Sequence, residues 1–130
     1  MSVGEVMKVC SLFSGIGGID LGFIQAGFEI VWANEFDRDA ARTYRHNFGN
    51  KHLVEKDIRK VDVATIPDFD VLVAGFPCQP FSILGKQRGF EDSRGMLFYE
   101  IERVVKAKRQ QVIFIENDAK ITVLNPEEIK

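Results

Sequence analysis

The stretch Asp70-Val71-Leu72-Val73-Ala74-Gly75-Phe76-Pro77-Cys78-Gln79-Pro80-Phe81-Ser82 decides how the chain is read. The unbroken apolar run Val71 to Ala74 predicts a strand buried on both faces, as in parallel sheets. It feeds a turn carrying one of only two cysteines. Open α/β sheets place ligands and chemistry just past the carboxyl ends of their strands. Proline fixes φ and pushes the residue before it to extended geometry, so Pro77 and Pro80 should leave the Cys78 backbone stiff and its sulfur aimed. A lone cysteine at a tight turn is often a core residue. The two flanking prolines favour a chemical role instead.

Outward from that turn, short apolar segments alternate with helical patterns. Val9 to Phe13, Ile30 to Ala33, Leu53-Val54 and Val112 to Ile115 read as further strands. Residues 17–26 carry Ile19, Phe23 and Ala26 at helical spacing, with Gly27 placed to stop the helix. Asp37 is placed to cap a helix whose apolar face is Ala40, Ala41, Tyr44 and Phe48, ending near Gly49. Leu97, Ile101, Val104 and Val105 mark an amphipathic helix. Strands interleaved with helices predict an α/β fold with a doubly wound, mainly parallel sheet, Rossmann-like.

With 130 residues the chain makes one modest domain. Its 45% hydrophobic and 28% charged composition is that of an ordinary globular protein. No apolar run approaches the roughly 20 residues that span a bilayer, and no membrane partner is expected. Two unlike cysteines, Cys10 in a strand and Cys78 in a turn, make no disulfide framework, so a reducing cytoplasm is the expected setting. A net charge of -2 argues against strong nucleic-acid binding by the whole surface. A local patch, Lys86, Arg88 and Arg94, lies in a glycine-punctuated loop after the cysteine. Arg103, Lys106, Lys108 and Arg109 read as the wet face of a helix, and His46 and His52 as surface residues.

The other four strands also end in chemically loaded turns. Phe13-Ser14-Gly15-Ile16-Gly17-Gly18 is a glycine-rich bend opening a helix. A dinucleotide fingerprint needs a further glycine where Asp20 stands, and an acid there would repel a pyrophosphate. That disfavours a nicotinamide-dinucleotide oxidoreductase. A cofactor with an adenosine and an amino-acid part but no phosphate fits better, and S-adenosylmethionine is the candidate. Asn34-Glu35-Phe36 follows the second strand; Glu35 suits a ribose diol, while Asp37 suits the helix cap. Asp57-Ile58 offers a carboxylate for an adenine amino group and an apolar side chain for its ring. Glu116-Asn117 ends the fifth strand, which as a neighbour of the fourth would bring Glu116 near Cys78.

Taken together, these motifs resemble the DNA (cytosine-5) methyltransferase family, in the family's order, from about residue 8 to 117. The resemblance implies that Phe13, Ser14, Gly15, Ile16, Gly17, Gly18, Asn34, Glu35, Phe36, Asp57, Ile58 and Pro77 hold S-adenosylmethionine, leaving S-adenosylhomocysteine as product. It implies that Cys78 is the nucleophile that adds to cytosine C6 on a flipped base, and that a protonated Glu116 grips N3 and the amino group. Residues 85–95 resemble the family's mobile catalytic loop. Gln79, Ser82, Lys86, Arg88 and Arg94 would then meet double-stranded DNA, in a restriction–modification setting, and no metal is implied.

The resemblance stops at Asp118, where the family has valine after Glu-Asn. Residues 1–117 are therefore read as a partial catalytic core and 118–130 as an unassigned tail. A core ending there would leave a sheet edge unpaired, which invites a partner. Either Ile121 to Leu124 folds back as a substitute strand, or a second copy or a C-terminal partner chain pairs there. The chain alone is expected not to methylate DNA. The competing readings are a non-catalytic cofactor-binding module and one subunit of a split enzyme.

Overall fold

A computed structural model of the chain describes residues 5–75, 95–108, 112–117 and 120–124. Its apolar runs form one six-stranded sheet in the order β3-β2-β1-β4-β5-β6. The strands are β1 (Lys8–Leu12), β2 (Glu29–Glu35), β3 (Leu53–Glu55), β4 (Val71–Gly75), β5 (Val112–Asn117) and β6 (Lys120–Leu124). The first five are parallel, joined through α1 (Gly18–Gln25), α2 (Arg38–Phe48) and α3 (Gly95–Ala107). Two 3-10 turns, Ile58–Lys60 and Val63–Thr65, lie between β3 and β4. The chain steps outward from β1 to β3, then returns to place β4 against the other side of β1. Such a reversal opens a crevice between the two central strand ends, which is where α/β sheets bind ligands.

Both faces of the sheet are buried, as continuous apolar strands require. Val9, Ile30, Ala33, Val71 and Val73 pack with Ala41 and Tyr44 of α2 and with Ile19 and Phe23 of α1. Cys10, Leu12, Trp32, Leu72, Ala74, Ile113 and Ile115 pack with Ile101, Val104 and Val105 of α3 and with Ile58, Val61 and Ile66 from the 3-10 region. Ile30 and Trp32 should share a face by the two-residue strand period, yet they serve opposite cores. A β-bulge explains this: Val9 pairs with Ile30 and Cys10 with Trp32, so Val31 is an extra residue and the phase of β2 switches. The switch carries through to Asn34 and Glu35 at the strand's end.

Helix limits follow local chemistry. The Asp37 side chain caps α2 by accepting from the Ala40 amide at 2.8 Å, as its position predicts. Gly27, with φ of 97°, ends the first helical segment. Ile121 to Leu124 does fold back: β6 pairs antiparallel with β5, matching Glu116 to Ile121 and Ile115 to Thr122. This takes up the β5 edge at which a second chain would otherwise pair, and the sheet's rim moves outward to β6. Among the described residues, no helix is long and apolar enough to cross a membrane.

Candidate cofactor and base site

The parallel strands bring their loaded ends to one edge of the sheet. After β1, the chain enters a bend with positive φ at Phe13 (53°), Gly15 (60°) and Gly17 (100°). Glycine adopts this conformation freely, whereas phenylalanine there is strained, and such strain collects at ligand-binding turns. Gly17 has a second reason to be glycine: a Cβ there would lie 2.2 Å from Cε2 of Phe48. The bend is tied to the end of β2. The Ser14 amide and hydroxyl both donate to the Asn34 carbonyl, at 3.0 and 3.1 Å. Glu35 accepts from the Gly15 amide at 2.8 Å through Oε1 and from the Asp37 amide at 2.8 Å through Oε2. Each oxygen keeps lone-pair capacity for a ligand hydroxyl.

The predicted cofactor residues divide into those that face outward and those that brace. Ile16 and Phe36 are 59% and 69% exposed beside the bend, apolar surfaces free to cover a flat ring. Asn34 is buried, and its amide donates to the Val54 and Lys56 carbonyls, both at 2.9 Å, stapling β2 to β3. Ile58 turns its side chain into the core, leaving the neighbouring Asp57 carboxylate toward solvent. Asp57 receives the Arg59 guanidinium at 2.6 Å, and that hydrogen bond holds its carboxyl down at about 2, so it is ionised at any ordinary pH. The Ile58 carbonyl is itself clamped: Arg103 of α3 donates to it at 2.8 Å and to the Val61 carbonyl at 3.0 Å. Arg103 thus braces the turn after β3 rather than lying on a wet helix face. Lys106, 3.7 Å from Glu102, and Lys108, 4.0 Å from Asp68, are ion-paired.

On the other side of the crevice, β4 and β5 place Gly75 opposite Glu116. A Cβ on Gly75 would lie 3.3 Å from Ile19 Cδ1, 3.4 Å from the Phe13 carbonyl oxygen and 3.6 Å from Glu116 Oε1. The glycine bend, the first turn of α1 and the acid of β5 therefore converge on the last residue of β4. Cys78 follows three residues later in the chain. Pro77, Cys78, Gln79, Ser82, Lys86, Arg88 and Arg94 lie outside the described residues, as do Arg109 and Asp118. Glu116 also contributes the acid to an open, otherwise apolar hollow of about 350 Å³, lined by Ile19, Gly22, Phe23, Ala26, Phe28 and Phe114.

Two further residues behave differently from their sequence reading. Asp20 does not face a ligand from the start of α1. It is 1% exposed and accepts from Ser11 Oγ at 2.7 Å and from the Tyr44 hydroxyl at 2.5 Å. His52 is half-buried rather than free on the surface, and its Nε2 lies 2.9 Å from the Tyr44 oxygen. The signal was a serine and a tyrosine hydroxyl at apolar core positions, since buried polar groups need partners. Asp20 still disfavours a pyrophosphate, because an acid in the first turn answers the positive end of the α1 dipole from inside.

A family model for C-5 cytosine-specific DNA methylases matches residues 7–128. The chain belongs to that family. Within this methylase family, it is 55% identical over 114 residues to the Type II methyltransferase M.Bsp6I of Bacillus sp. (strain RFL6), covering 86% of the chain and 36% of that relative. It is 51% identical over 111 residues to the Type II methyltransferase M.HhaI of Haemophilus parahaemolyticus, covering 85% and 33%. The crystal structure of the S. pombe Dnmt2 methyltransferase superposes with a TM-score of 0.65 at 25% identity, covering 88% of this chain and 35% of that one. The chain thus spans about a third of the length of the methylases it matches.

Proposed function

We propose that the chain carries the cofactor-binding and nucleophile-bearing part of an enzyme that methylates C5 of cytosine in double-stranded DNA. The observation that carries this reading is the convergence at Gly75. The glycine bend and Glu116 meet at the end of the strand that leads, three residues on, to Cys78. Family membership over residues 7–128 supports the same assignment.

The residues fit S-adenosylmethionine. Glu35 offers acceptors for a ribose diol, exposed Phe36 and Ile16 offer apolar cover, and an ionised Asp57 can accept from an amino group. S-adenosylmethionine supplies an electrophilic methyl group on its sulfonium. In this reading Gly15, Gly17 and Gly18 let the backbone approach the cofactor, with Phe13, Ser14, Asn34, Ile58 and Pro77 completing its surroundings. The Cys78 thiolate adds to C6, breaking the C5–C6 π bond and making C5 nucleophilic. Glu116 donates a proton toward N3 and accepts from the exocyclic amine, drawing off charge as sulfur adds. Once C5 has taken the methyl, with S-adenosylhomocysteine as the leaving group, the C5 proton passes to water, the Cys78–C6 bond breaks to return the thiolate, and the N3 proton goes back to Glu116. Gln79, Ser82, Lys86, Arg88 and Arg94 contact the DNA from which the base is flipped.

Cofactor binding is the activity expected of these 130 residues. Transfer and sequence recognition are expected together with the further two thirds that the relatives possess, as one chain or as a second subunit. Calorimetry with S-adenosylhomocysteine should show binding by both wild type and Cys78→Ala. Supplied with the C-terminal portion of a relative, S-adenosylmethionine and 5-fluorocytosine DNA, wild type should form a covalent adduct and Cys78→Ala none. Adduct formation by Cys78→Ala would remove the nucleophile assignment, and wild-type binding without any adduct would favour a non-catalytic module.

A further inference from the structure

Ser11, Asp20, Tyr44 and His52 form one hydrogen-bonded chain that joins β1, α1, α2 and the segment before β3. Three members are sealed, with Ser11 and Asp20 1% exposed and Tyr44 fully buried. His52 is half-buried and is the member a solvent proton can reach. Asp20 stands three residues after Gly17, so the chain anchors the helical turn into which the glycine bend runs. Leu21 continues that link, its amide donating to the Gly17 carbonyl at 2.8 Å.

Counting protons gives the chain two arrangements. With Asp20 ionised, Ser11 and Tyr44 both donate to it, so the Tyr44 oxygen accepts from His52 Nε2–H. Gain of one proton at His52 Nδ1 can pass along the chain. The Nε2 proton moves to Tyr44, the tyrosine proton moves to Asp20, and His52 is left neutral with its proton on Nδ1. The chain goes from one negative charge to none. Burial pushes the Asp20 carboxyl up, against the hydrogen bonds from Tyr44 and Ser11, and pushes the His52 imidazole down, with Lys51 acting the same way and Asp20 opposing. Both shifts favour the arrangement in which the added proton resides on Asp20. These are the groups that act on the two ends, with the buried Cys10 thiol also beside Asp20. Neutralising Asp20 removes an acid from the first turn of α1, where negative charge stabilises a helix.

We propose that Asp20 is a positioning residue for the glycine bend, and that the Ser11–Asp20–Tyr44–His52 chain lets a proton arriving at His52 alter how the bend meets its ligand. The ligand side of this proposal rests on the reading that the bend receives S-adenosylmethionine.

The test is a pH titration of the whole chain, followed by amide NMR at Gly15, Gly17 and Gly18 and by the His52 ring signals, beside calorimetry with S-adenosylhomocysteine. In wild type the bend amides should shift with the same midpoint as the His52 ring, and affinity should fall several-fold below neutral pH. Tyr44→Phe cuts the chain, so its ring should still titrate while the bend amides stay still. Should that variant not fold, His52→Gln gives the same answer. Its amide permanently donates to Tyr44, so it should hold the wild-type affinity of neutral pH and show no pH dependence. Bend amides that ignore the wild-type ring, or that follow pH unchanged in His52→Gln, would overturn the proposal. Coupled amides without any S-adenosylhomocysteine binding would leave the positioning role standing and remove the cofactor reading instead.

Discussion

Gly75 and Glu116 are register partners on β4 and β5, and Glu116 Oε1 lies 3.6 Å from the place a Cβ on Gly75 would occupy. The nearest neighbour of that Cβ would be Ile19 Cδ1 at 3.3 Å, the flexible end of a side chain. Gly75→Ala should therefore fold with a stability change within about 1 kcal/mol, since unfolded-state entropy offsets a small adjustment. Gly75→Val adds two methyls toward the Phe13 carbonyl and the acid, and should cost about 1–3 kcal/mol. Urea denaturation of the two variants checks the difference.

Glu35 bridges the glycine bend and the start of α2 with one hydrogen bond from each oxygen. Glu35→Gln keeps only one acceptor, so one backbone amide loses its partner. A stability loss of about 1 kcal/mol is expected. Calorimetry should find S-adenosylhomocysteine bound about tenfold more weakly, equivalent to about 1.4 kcal/mol.

Gly17 is constrained twice, by its φ of 100° and by Phe48. Gly17→Ala should lower the melting temperature markedly. Combining it with Phe48→Leu should recover only part of the loss, because the smaller side chain relieves the clash and leaves the backbone strain. Full recovery would mean that sterics alone demand the glycine.

Asp57 has a folded-state value near 2, against 3.8 for the free group, because Arg59 bonds its charged form. A depressed acid contributes stability above 3.8 and loses it as pH falls through about 2. Between pH 5 and 8 this residue should impart no pH dependence. Arg59→Ala should move the Asp57 titration upward toward 3.8 without altering neutral-pH folding much, since Arg59 itself is exposed. Carboxyl NMR of both chains measures the shift.

The strands themselves and the site edge were legible because buried parallel strands announce themselves as apolar runs ending in distinctive turns. Val71 to Ala74 and Val112 to Ile115 are the clearest, and the Asp37 cap followed from one residue's chemistry. The bulge at Val31 was not legible, since an extra residue in an apolar strand leaves no mark on composition. Nor were the partners of Asp20 and Arg103. A charged residue reads as surface until tertiary packing supplies Tyr44 from 24 positions away, or the Ile58 carbonyl from 45. The facing of Ile58 was open for the same reason: an apolar residue in a turn can turn its side chain to a ligand or to the core, and here it joins the core cluster that holds Ile101 and Val104.

β5 is held between β4 and β6, one strand gripping it from each flank, and Glu116 is paired to Gly75 and Ile121 at once. Strand pairing on both flanks restrains its main chain, so its carboxylate moves chiefly through its own side-chain torsions. In the role proposed for it, the molecule it grips must come to this carboxylate, which is the geometry of a fixed dock and a travelling cargo.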